Sequence, residues 1–356
     1  MPTVKPRTGK YRPDNLKLPL GTPPSPVVDV EVNLEGNVIN PEEVIRTIES
    51  TEKCIVFEDL KIGPTLGSGQ YGTVSRAIHA RGDEKTEYAV KRVALENTDL
   101  NNPKNIIAEF KALYECKCDN IITMFDAFYR EGGIHIVMEF MDCGSLEDIF
   151  KFCKVVPEPV LSYVSRQILL GLVYLHEEKG IVHRDIKPAN ILINSRGACK
   201  IADFGMSGHK SSVGSIENKD VVSKSWDTFQ GTYTYMSPER IRGEKHSFNS
   251  DIWAVGLTLA ECALGTFPFK LKENTIWEMM KHLEVGAEEP IDLSKEKFSE
   301  EFREFIFACL RFNQNERPSA RQLLEFNFIK NHTKSNKFKR WLYEHYIEKR
   351  KTQPKR

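Results

Sequence analysis

Two patterns of apolar and polar positions divide the chain. Alternating positions that are typical of strands dominate from Phe57 to Met141, with one amphipathic helical stretch near Asn105–Glu115. From Gly144 onward, apolar residues recur at helical spacing, as in the stripe Phe298, Phe302, Phe305, Ile306, Cys309 and Leu310. We therefore predict an α+β protein with a small β-rich lobe and a larger, mainly helical lobe.

Flanking segments surround these lobes, which we place at 57–141 and 142–330. Residues 1–38 are rich in Pro, Lys, Arg and Gly without a sustained period, so we predict an extended tail that serves for binding. Residues 39–56 contain NPEEVIRTIES, whose Asn-Pro-Glu-Glu start suits the N-terminus of a short helix. That position before the small lobe makes it a candidate regulatory helix and linker.

The last segment, 331–356, predicts a basic amphipathic helix and tail. Four apolar residues lie on roughly one side of that helix, and they are Phe338, Trp341, Leu342 and Tyr346. A basic end follows them. We expect this helix to dock on the large lobe.

Composition narrows the class of protein. Fifty basic and fifty acidic residues cancel, so we expect neither a nucleic-acid partner nor a membrane partner. The N-terminus lacks the apolar core of a signal peptide, and the apolar run near Ile168–Leu175 is too short to span a bilayer. The eight cysteines are scattered, without the spacing of a zinc site or a disulfide framework. A cytoplasmic location, with the nucleus as a second one, is the expectation.

A glycine-rich segment, LGSGQYGTV, places Gly67, Gly69 and Gly72 in a G-x-G-x-x-G pattern. Glycines let backbone amides approach phosphate oxygens, because no side chain intervenes. A dinucleotide site would continue into a helix, but TVSRAIHA alternates and leads through RGDEK into another strand. The pattern predicts a hairpin over phosphates, and taken alone it is equally compatible with a plain glycine-rich hairpin.

Lys91 stands in an otherwise apolar strand, YAVKRV. A lysine that holds nucleotide phosphates needs an acidic partner, and Glu109 on the predicted helix is our preferred one. Glu115 competes with it but lies at the helix end. Taken singly, each of these residues is as compatible with an ordinary surface charge as with a role in holding phosphates.

The segment IVHRDIKPANILI encloses a polar cluster between two apolar runs. Its H-R-D-x-x-x-x-N spacing is that of a phosphoryl-transfer loop, in which Asp185 accepts or orients the proton of the attacking hydroxyl. Lys187 would neutralise charge on the γ-phosphate, and Asn190 would bind Mg²⁺. Asp203 in ADFG adds a carboxylate suited to the same hard cation. Together these motifs predict an ATP- and Mg²⁺-dependent protein kinase.

The set resembles the eukaryotic protein kinase family over roughly Phe57–Lys330. The resemblance implies the bilobal kinase fold, with Met138 as gatekeeper and Glu139–Met141 as a hinge that bonds adenine through its backbone. The nucleotide site that it implies comprises Leu66, Gly67, Ser68, Gly69, Gly72, Val74, Ala89, Lys91, Glu109, Met138, Glu139 and Met141.

The same resemblance implies structural roles for other residues. Glu239 in SPE would form a buried ion pair with Arg317 that shapes the lobe. Asp251 would brace the catalytic loop from a helix. A hydrophobic spine is implied for Leu113, Met124, His183 and Phe204.

Longer runs resemble a narrower class. Lys187, two positions after Asp185, is similar to serine/threonine-type kinases, and GTYTYMSPERIRGEKHSFNSDIWAVGLTLAECALGTFP resembles the MAP kinase kinases. The resemblance implies a dual-specificity enzyme that phosphorylates Thr and Tyr of a T-x-Y motif in a MAP kinase. It also implies activation by an upstream MAP kinase kinase kinase.

The N-terminal tail carries a basic cluster followed by alternating leucines. An extended peptide of this kind suits an acidic patch beside an apolar groove, and it resembles the docking peptide of MAP kinase kinases. Its candidate docking residues are Lys10, Arg12, Leu16 and Leu18. Without the kinase motifs it would be only a basic tail with some leucines.

Between Gly205 and Gly231 lies a long polar stretch that we predict to be an activation segment. Arg184 offers a cation for an incoming phosphate, which would order this segment. Thr232 is expected to contact Asp185 and the substrate hydroxyl.

Thr228 falls where the family carries its second activating phosphosite. The position four residues earlier is Lys224, which cannot be phosphorylated. Either Ser223 or Ser225 substitutes for the first site, or Thr228 acts alone.

Two alternatives stay open at this point. One is another STE-group serine/threonine kinase with substrates other than MAP kinases. The other is a pseudokinase scaffold, against which the intact Lys91, Asp185, Asn190 and Asp203 argue.

Overall fold

The structure is a computed structural model of the 356-residue chain. It describes residues 55–69, 72–81, 84–94, 114, 116–131, 133–203, 208–209, 234–245, 247–269, 291–331 and 335–352. The chain divides by its internal contacts into two units, Met1–Val38 and Ile39–Arg356, and every described residue belongs to the second. The predicted tail, the helix within 39–56 and nearly all of the helix near Asn105–Glu115 lie outside the described residues.

An antiparallel five-stranded sheet of order β1-β2-β3-β5-β4 forms the small lobe. Its strands are β1 (Leu60–Gly69), β2 (Gly72–Arg81), β3 (Glu84–Ala94), β4 (Met124–Arg130) and β5 (Gly133–Glu139). Pro64, which has no N–H to donate, sits on the edge strand β1 where the pairing register shifts. The predicted β-rich lobe is confirmed.

One face of this sheet has its own small apolar core. The core consists of Ile55, Leu60, Ala77, Val90 and Val137, and Phe57, Tyr88 and Phe128 pack against it. Because side chains alternate between the two faces of a strand, the residues between these core positions face the other way.

The large lobe is mainly helical. Its helices are α1 (Leu146–Cys153), α2 (Glu158–Val173), α3 (Pro238–Ile241), α4 (Asn249–Leu264), α5 (Glu300–Cys309), α6 (Ala320–Leu323), α7 (Asn327–Lys330), α8 (Ser335–Leu342) and α9 (Glu348–Thr352). Short strands β6 (Ile181–Val182), β7 (Ile191–Ile193), β8 (Cys199–Ile201) and β9 (Gly208–His209) pair as β6-β9 and β7-β8. π-helical turns at Tyr174–Lys179 and Tyr343–Ile347 extend α2 and join α8 to α9.

Local chemistry sets several helix ends. Ser145 and Asp148 form a capping box at the start of α1. Ser299 caps α5 by accepting the Phe302 amide. Helix α4 ends at Gly265, whose positive φ of 73° suits a left-handed cap. In the part of the chain that the structure describes, no helix is both long and apolar enough to cross a membrane.

A candidate active site between sheet and helices

Pairing register places the predicted nucleotide residues of the sheet on one face. Val74 lies opposite Lys91 on the neighbouring strand, and Ala89 lies opposite Met138. Ala89 and Lys91 are two residues apart, so all four side chains point away from the core that contains Val90. The strands therefore bring together residues that are distant in sequence.

The glycine-rich segment forms the β1-β2 hairpin, in which Gly69 pairs with Gly72. A Cβ on Gly72 would lie 1.9 Å from the backbone oxygen of Arg92, and its φ is +128°. Gly67 has open space around it instead. The third glycine is thus required by the close approach of β3, a reason that the motif alone did not reveal. Leu66 and Ser68 are exposed on the same strand.

Lys91 joins the two lobes. Its Nζ lies 2.8 Å from Oδ1 of Asp203, and the lysine side chain is only 15% exposed. Ion pairing at this distance fixes a carboxylate, which can bind a cation, beside an ammonium, which can bind phosphate. The predicted partners Glu109 and Glu115 lie outside the described residues.

The catalytic loop gathers two of the predicted side chains around the carboxylate of a third, Asp185. Lys187 Nζ donates to Asp185 Oδ2 at 2.7 Å, and Asn190 Nδ2 donates to the same oxygen at 2.8 Å. Asn190 also bonds the Asp185 carbonyl at 2.8 Å. These bonds fix the orientation of the Asp185 carboxylate, which is 7% exposed, at the edge of the cleft.

His183 is tied to both ends of this site. Its Nδ1 accepts the Asp185 backbone N–H at 3.2 Å, and its Nε2 contacts the Ala202 carbonyl at 3.2 Å. Full burial lowers the pKa of His183, so the ring is neutral, and Nε2 must carry the proton because a carbonyl can only accept. The resemblance assigned this residue only to a spine, whereas the structure shows it linking the catalytic loop to the residue before Asp203.

Asp251 on α4 accepts hydrogen bonds from the backbone of the catalytic loop. Its carboxylate accepts the His183 amide at 2.9 Å, the Arg184 amide at 2.8 Å and a contact from His176 Nε2 at 2.8 Å. Burial acts to raise the pKa of Asp251, but the hydrogen bonds to its carboxylate, first among them the one from His176, outweigh burial and lower it. The predicted brace is confirmed.

Glu239 and Arg317 form the predicted buried ion pair. Two parallel bonds of 2.7 Å and 2.8 Å join them. Arg317 also donates to the carbonyls of Asn249, Arg311 and Phe312, so its five N–H groups all have acceptors. The pair links α3, α4 and the turn after α5, and touches no reacting group.

At the hinge, the side chain of Glu139 is engaged as well as its backbone. Its Oε1 accepts the Thr123 amide at 2.8 Å and Lys200 Nζ at 2.5 Å. Lys200 lies on β8, three residues before Asp203, so the hinge is bonded to the strand that leads to the predicted metal-binding residue. We did not predict Lys200, for which the one signal was a lysine inside the short apolar strand CKIA. Met141, the last residue of the predicted hinge, is buried.

The donor set suits Mg²⁺. Asn190 and Asp203 supply hard amide and carboxylate oxygens, and this cation prefers few protein ligands supplemented by phosphate and water. Among the described residues, no cluster of three or more His, Cys, Asp or Glu side chains could hold a metal by itself. The residues fit an ion that arrives with a phosphate ligand.

Several predicted residues lie outside the described part of the chain. They are Glu109, Leu113, Phe204, Ser223, Ser225, Thr228 and Thr232, with the docking residues Lys10, Arg12, Leu16 and Leu18. Their assignments stay predictions.

Comparison with known families agrees with the fold and the site. The family described as protein kinase domain matches residues 60–329, which is most of the chain. The chain belongs to the protein kinase family and is an ATP-dependent protein kinase.

The relatives of this chain define a narrower class within the protein kinases. The chain is 38% identical to mitogen-activated protein kinase kinase 2 of Arabidopsis thaliana, over 85% of this chain and 81% of that protein. It is 39% identical to mitogen-activated protein kinase kinase 1c of Physcomitrium patens, over 85% and 86%. It is 33% identical to the Drosophila melanogaster dual specificity mitogen-activated protein kinase kinase dSOR1, over 87% and 82%. Within the protein kinases, the chain therefore belongs to the MAP kinase kinases.

Proposed function

We propose that this chain transfers the γ-phosphate of ATP to both the Thr and the Tyr of a T-x-Y motif in a MAP kinase, and that phosphorylation by an upstream MAP kinase kinase kinase activates it. The observation that carries the proposal is the loop in which Lys187 and Asn190 both bond the Asp185 carboxylate. The Drosophila relative is named a dual specificity kinase, which supports the two-residue target.

Each side chain has a defined task. Asp185 orients the substrate hydroxyl and takes its proton, and Lys187 places positive charge where the transferring phosphoryl passes. Lys91 holds the α- and β-phosphates from the sheet. Asn190 and Asp203 would hold Mg²⁺, which neutralises the phosphate oxygens when bound.

The test uses purified full-length chain, MgATP and a kinase-dead MAP kinase, with mass spectrometry of the T-x-Y peptide. We expect phosphate on both residues, and Asp185→Ala should lower the rate by at least about 100-fold. Phosphorylation of other peptides only would favour the broader STE-group reading. An unchanged rate in Asp185→Ala would overturn the catalytic assignment and favour a scaffold.

The N-terminal docking peptide is the second part of the proposal. Leu16→Ala with Leu18→Ala should raise KM for the MAP kinase, because an apolar anchor is lost, while kcat stays unchanged. A short T-x-Y peptide that lacks the docking groove serves as the control substrate, and its kinetics should not respond. An unaltered KM for the intact MAP kinase would remove the docking role from this tail.

A further inference from the structure

Arg76 on β2 belongs to the face of the sheet that carries the predicted nucleotide residues. It lies opposite Ala89 in the pairing register, and Ala89 in turn lies opposite Met138. Because side chains alternate along a strand, Arg76 points away from the core that contains its neighbour Ala77. An arginine therefore stands on the cleft face, in the same row across the sheet as the predicted gatekeeper.

The guanidinium of Arg76 reaches the predicted hinge. Its central carbon, Cζ, lies 5.4 Å from the centroid of the Phe140 ring, a distance typical of a cation–π contact. Phe140 is the middle residue of Glu139–Met141, the segment that we expect to bond adenine through its backbone. The contact thus joins the hinge directly to β2, the strand that continues from the glycine hairpin.

Glu87 on β3 sets the direction of this arginine. Nη2 of Arg76 pairs with a carboxylate oxygen of Glu87, and both side chains are 40% exposed. Nε of Arg76 is buried and has no hydrogen-bond partner among the residues that the structure describes. Within that part of the chain, the ion pair and the ring contact are therefore the interactions that fix the guanidinium.

The hinge is also fixed on either side of Phe140. The Glu139 carboxylate accepts the Thr123 amide at 2.8 Å, and the Glu139 amide donates to the Thr123 carbonyl at 3.0 Å. The Met141 carbonyl accepts the amide three residues ahead at 3.1 Å. Phe140 lies between these two anchors, and Arg76 contacts its ring from the sheet. The three attachments together hold the hinge at a fixed spacing from β2.

We propose that Arg76 is a positioning residue for the nucleotide, because its contact with Phe140 fixes the spacing between β2 and the hinge and hence the width of the site that receives adenine. The proposal rests on the predicted adenine-binding role of the hinge and is independent of the T-x-Y target. Arg76 needs no contact with the nucleotide for this role, since a site already held at its bound width loses less conformational entropy on binding. Neither the glycine motif nor the hinge assignment indicated this arginine.

The proposal predicts how binding responds to ligands that share a base and differ in their phosphates. Arg76→Met should weaken the binding of adenosine and of MgATP by the same factor of about three, the scale of a cation–π contact at a partly exposed site. If the charge of Arg76 attracted phosphate instead, only MgATP would lose affinity, and the loss would grow at low salt. Isothermal titration calorimetry of the full-length chain measures both ligands, with adenosine titrated in competition with MgATP. A loss confined to MgATP, or no loss, would overturn the proposal.

A double-mutant cycle asks whether Arg76 and Phe140 act together. Phe140→Leu removes the ring but keeps an apolar side chain, and it should weaken MgATP binding by removing the same contact. Arg76→Met should then cause no further loss when it is added to Phe140→Leu. Losses that simply multiply would show that Arg76 acts without the ring, and the proposal would fail.

Two matched variants separate positioning from general support of the sheet. Arg130→Met removes an arginine of the same lobe, on the edge strand β4, that pairs with Glu58 at 3.0 Å. It should leave both affinities unchanged. Glu87→Gln breaks the ion pair but keeps Arg76, so it should give a smaller loss than Arg76→Met. An equal loss in Arg130→Met would assign the effect to the stability of the lobe and contradict the proposal.

Melting temperatures identify any variant that does not fold. If Arg76→Met is one of these, Arg76→Lys takes its place, because lysine keeps the charge and lacks the planar group that contacts the ring. Equal losses for adenosine and MgATP in Arg76→Lys would support the positioning role. Wild-type affinities in this variant would overturn it, because charge alone would then suffice.

A kinetic measurement shows which step depends on Arg76. The contact is present both before and during phosphoryl transfer, so its loss should raise KM for ATP about threefold and leave kcat unchanged. A lower kcat with an unaltered KM would place Arg76 in the transfer step and overturn the positioning role.

Lys91→Met distinguishes a failure of this proposal from a failure of the predicted nucleotide site. Wild-type binding of MgATP in Lys91→Met would remove the site on which the proposal rests. Loss of binding in Lys91→Met, together with wild-type binding in Arg76→Met, would overturn the role of Arg76 alone. Because the titrations need no phosphate acceptor, their outcome does not depend on the T-x-Y assay.

Discussion

Backbone strain is concentrated at two residues of the site. Arg184 and Asp203 have φ values of 71° and 64°, although both carry side chains. Each is held by neighbours, Arg184 by Asp251 and Asp203 by Lys91. Strained residues of this kind cost about 1–3 kcal/mol each and persist where the surroundings determine them. The strained residues thus lie in the catalytic loop and at the predicted metal ligand.

The glycine hairpin gives a prediction at the scale of single residues. Gly72→Ala should destabilise the chain by at least about 2 kcal/mol, because its Cβ would meet the Arg92 carbonyl and its φ is unfavourable for alanine. Gly67→Ala, in open space, should change the free energy of unfolding little. Urea unfolding of both variants measures this. Equal stabilities would show that β3 does not impose the third glycine.

The Glu239–Arg317 pair predicts a pH dependence. Burial tends to raise the pKa of Glu239, but the two bonds from Arg317 outweigh burial and hold it below 4.5. Since the folded pKa lies below the unfolded one, the stabilisation is complete above about pH 5 and is lost as the pH falls through the folded pKa.

Glu239→Gln should therefore be destabilised by about 3 kcal/mol at neutral pH, because it leaves Arg317 buried without its counter-charge. The difference from the wild type should narrow below pH 4.5. Urea unfolding from pH 7 to pH 3.5 measures it, and a difference that stays constant across this range would contradict the assigned charge state.

At the scale of elements, the C-terminal helix is part of the large lobe. Phe338, Leu342 and Tyr346 are buried, and the Phe338 ring stacks on Tyr163 of α2 with centroids 4.7 Å apart. Tyr346 donates to the Cys143 carbonyl at 3.0 Å, just before α1. The amphipathic pattern located this helix, while its partners on α2 and just before α1 follow from packing.

We predict that Tyr346→Phe costs about 1 kcal/mol of unfolding free energy, because the Cys143 carbonyl loses its hydroxyl donor in a buried place. Tyr343→Phe, on a side chain that is 52% exposed, removes the same atom without this contact. This substitution should leave the free energy of unfolding unchanged. Chemical denaturation distinguishes the two, and equal effects would mean that the Tyr346 bond adds nothing.

At the scale of the whole molecule, nucleotide binding should couple the two lobes. Lys91 comes from the sheet, whereas Asn190 and Asp203 come from the helical lobe. A nucleotide that contacts both lobes can bind well only when both lobes are folded and adjacent. Its binding energy then adds to the stability of the assembled chain.

MgATP at 100 times its dissociation constant should stabilise the wild type by about 2.7 kcal/mol. Lys91→Met should lose most of this gain, and removal of Mg²⁺ with a chelator should do the same. Arg92→Met serves as the control, because Arg92 is exposed on the opposite face of β3. Melting temperatures with and without nucleotide provide the measurement, and an equal gain in Lys91→Met would remove this lysine from the nucleotide site.

The lobes and the reaction were predictable because their signals are local. Strand alternation, helical stripes and the H-R-D-x-x-x-x-N spacing each lie within a short stretch, where backbone geometry determines which residues meet. Long-range contacts carry no such signal. Lys91 contacts Asp203 112 positions away, Lys200 contacts Glu139 61 positions away, and Arg240 contacts the Arg184 carbonyl 56 positions away.

By itself, the amino-acid sequence determined the two-lobed class and the protein kinase chemistry, and it predicted Asp185, Lys187 and Asn190 as site residues, because these follow from periodicity and short spacing. Only the tertiary structure decided which side chains support them. It made His183 a neutral link, Lys200 a partner of the hinge, and Arg240 a neighbour of the catalytic loop. The physical reason is that burial, charge balance and hydrogen-bond partners arise only when distant segments pack together.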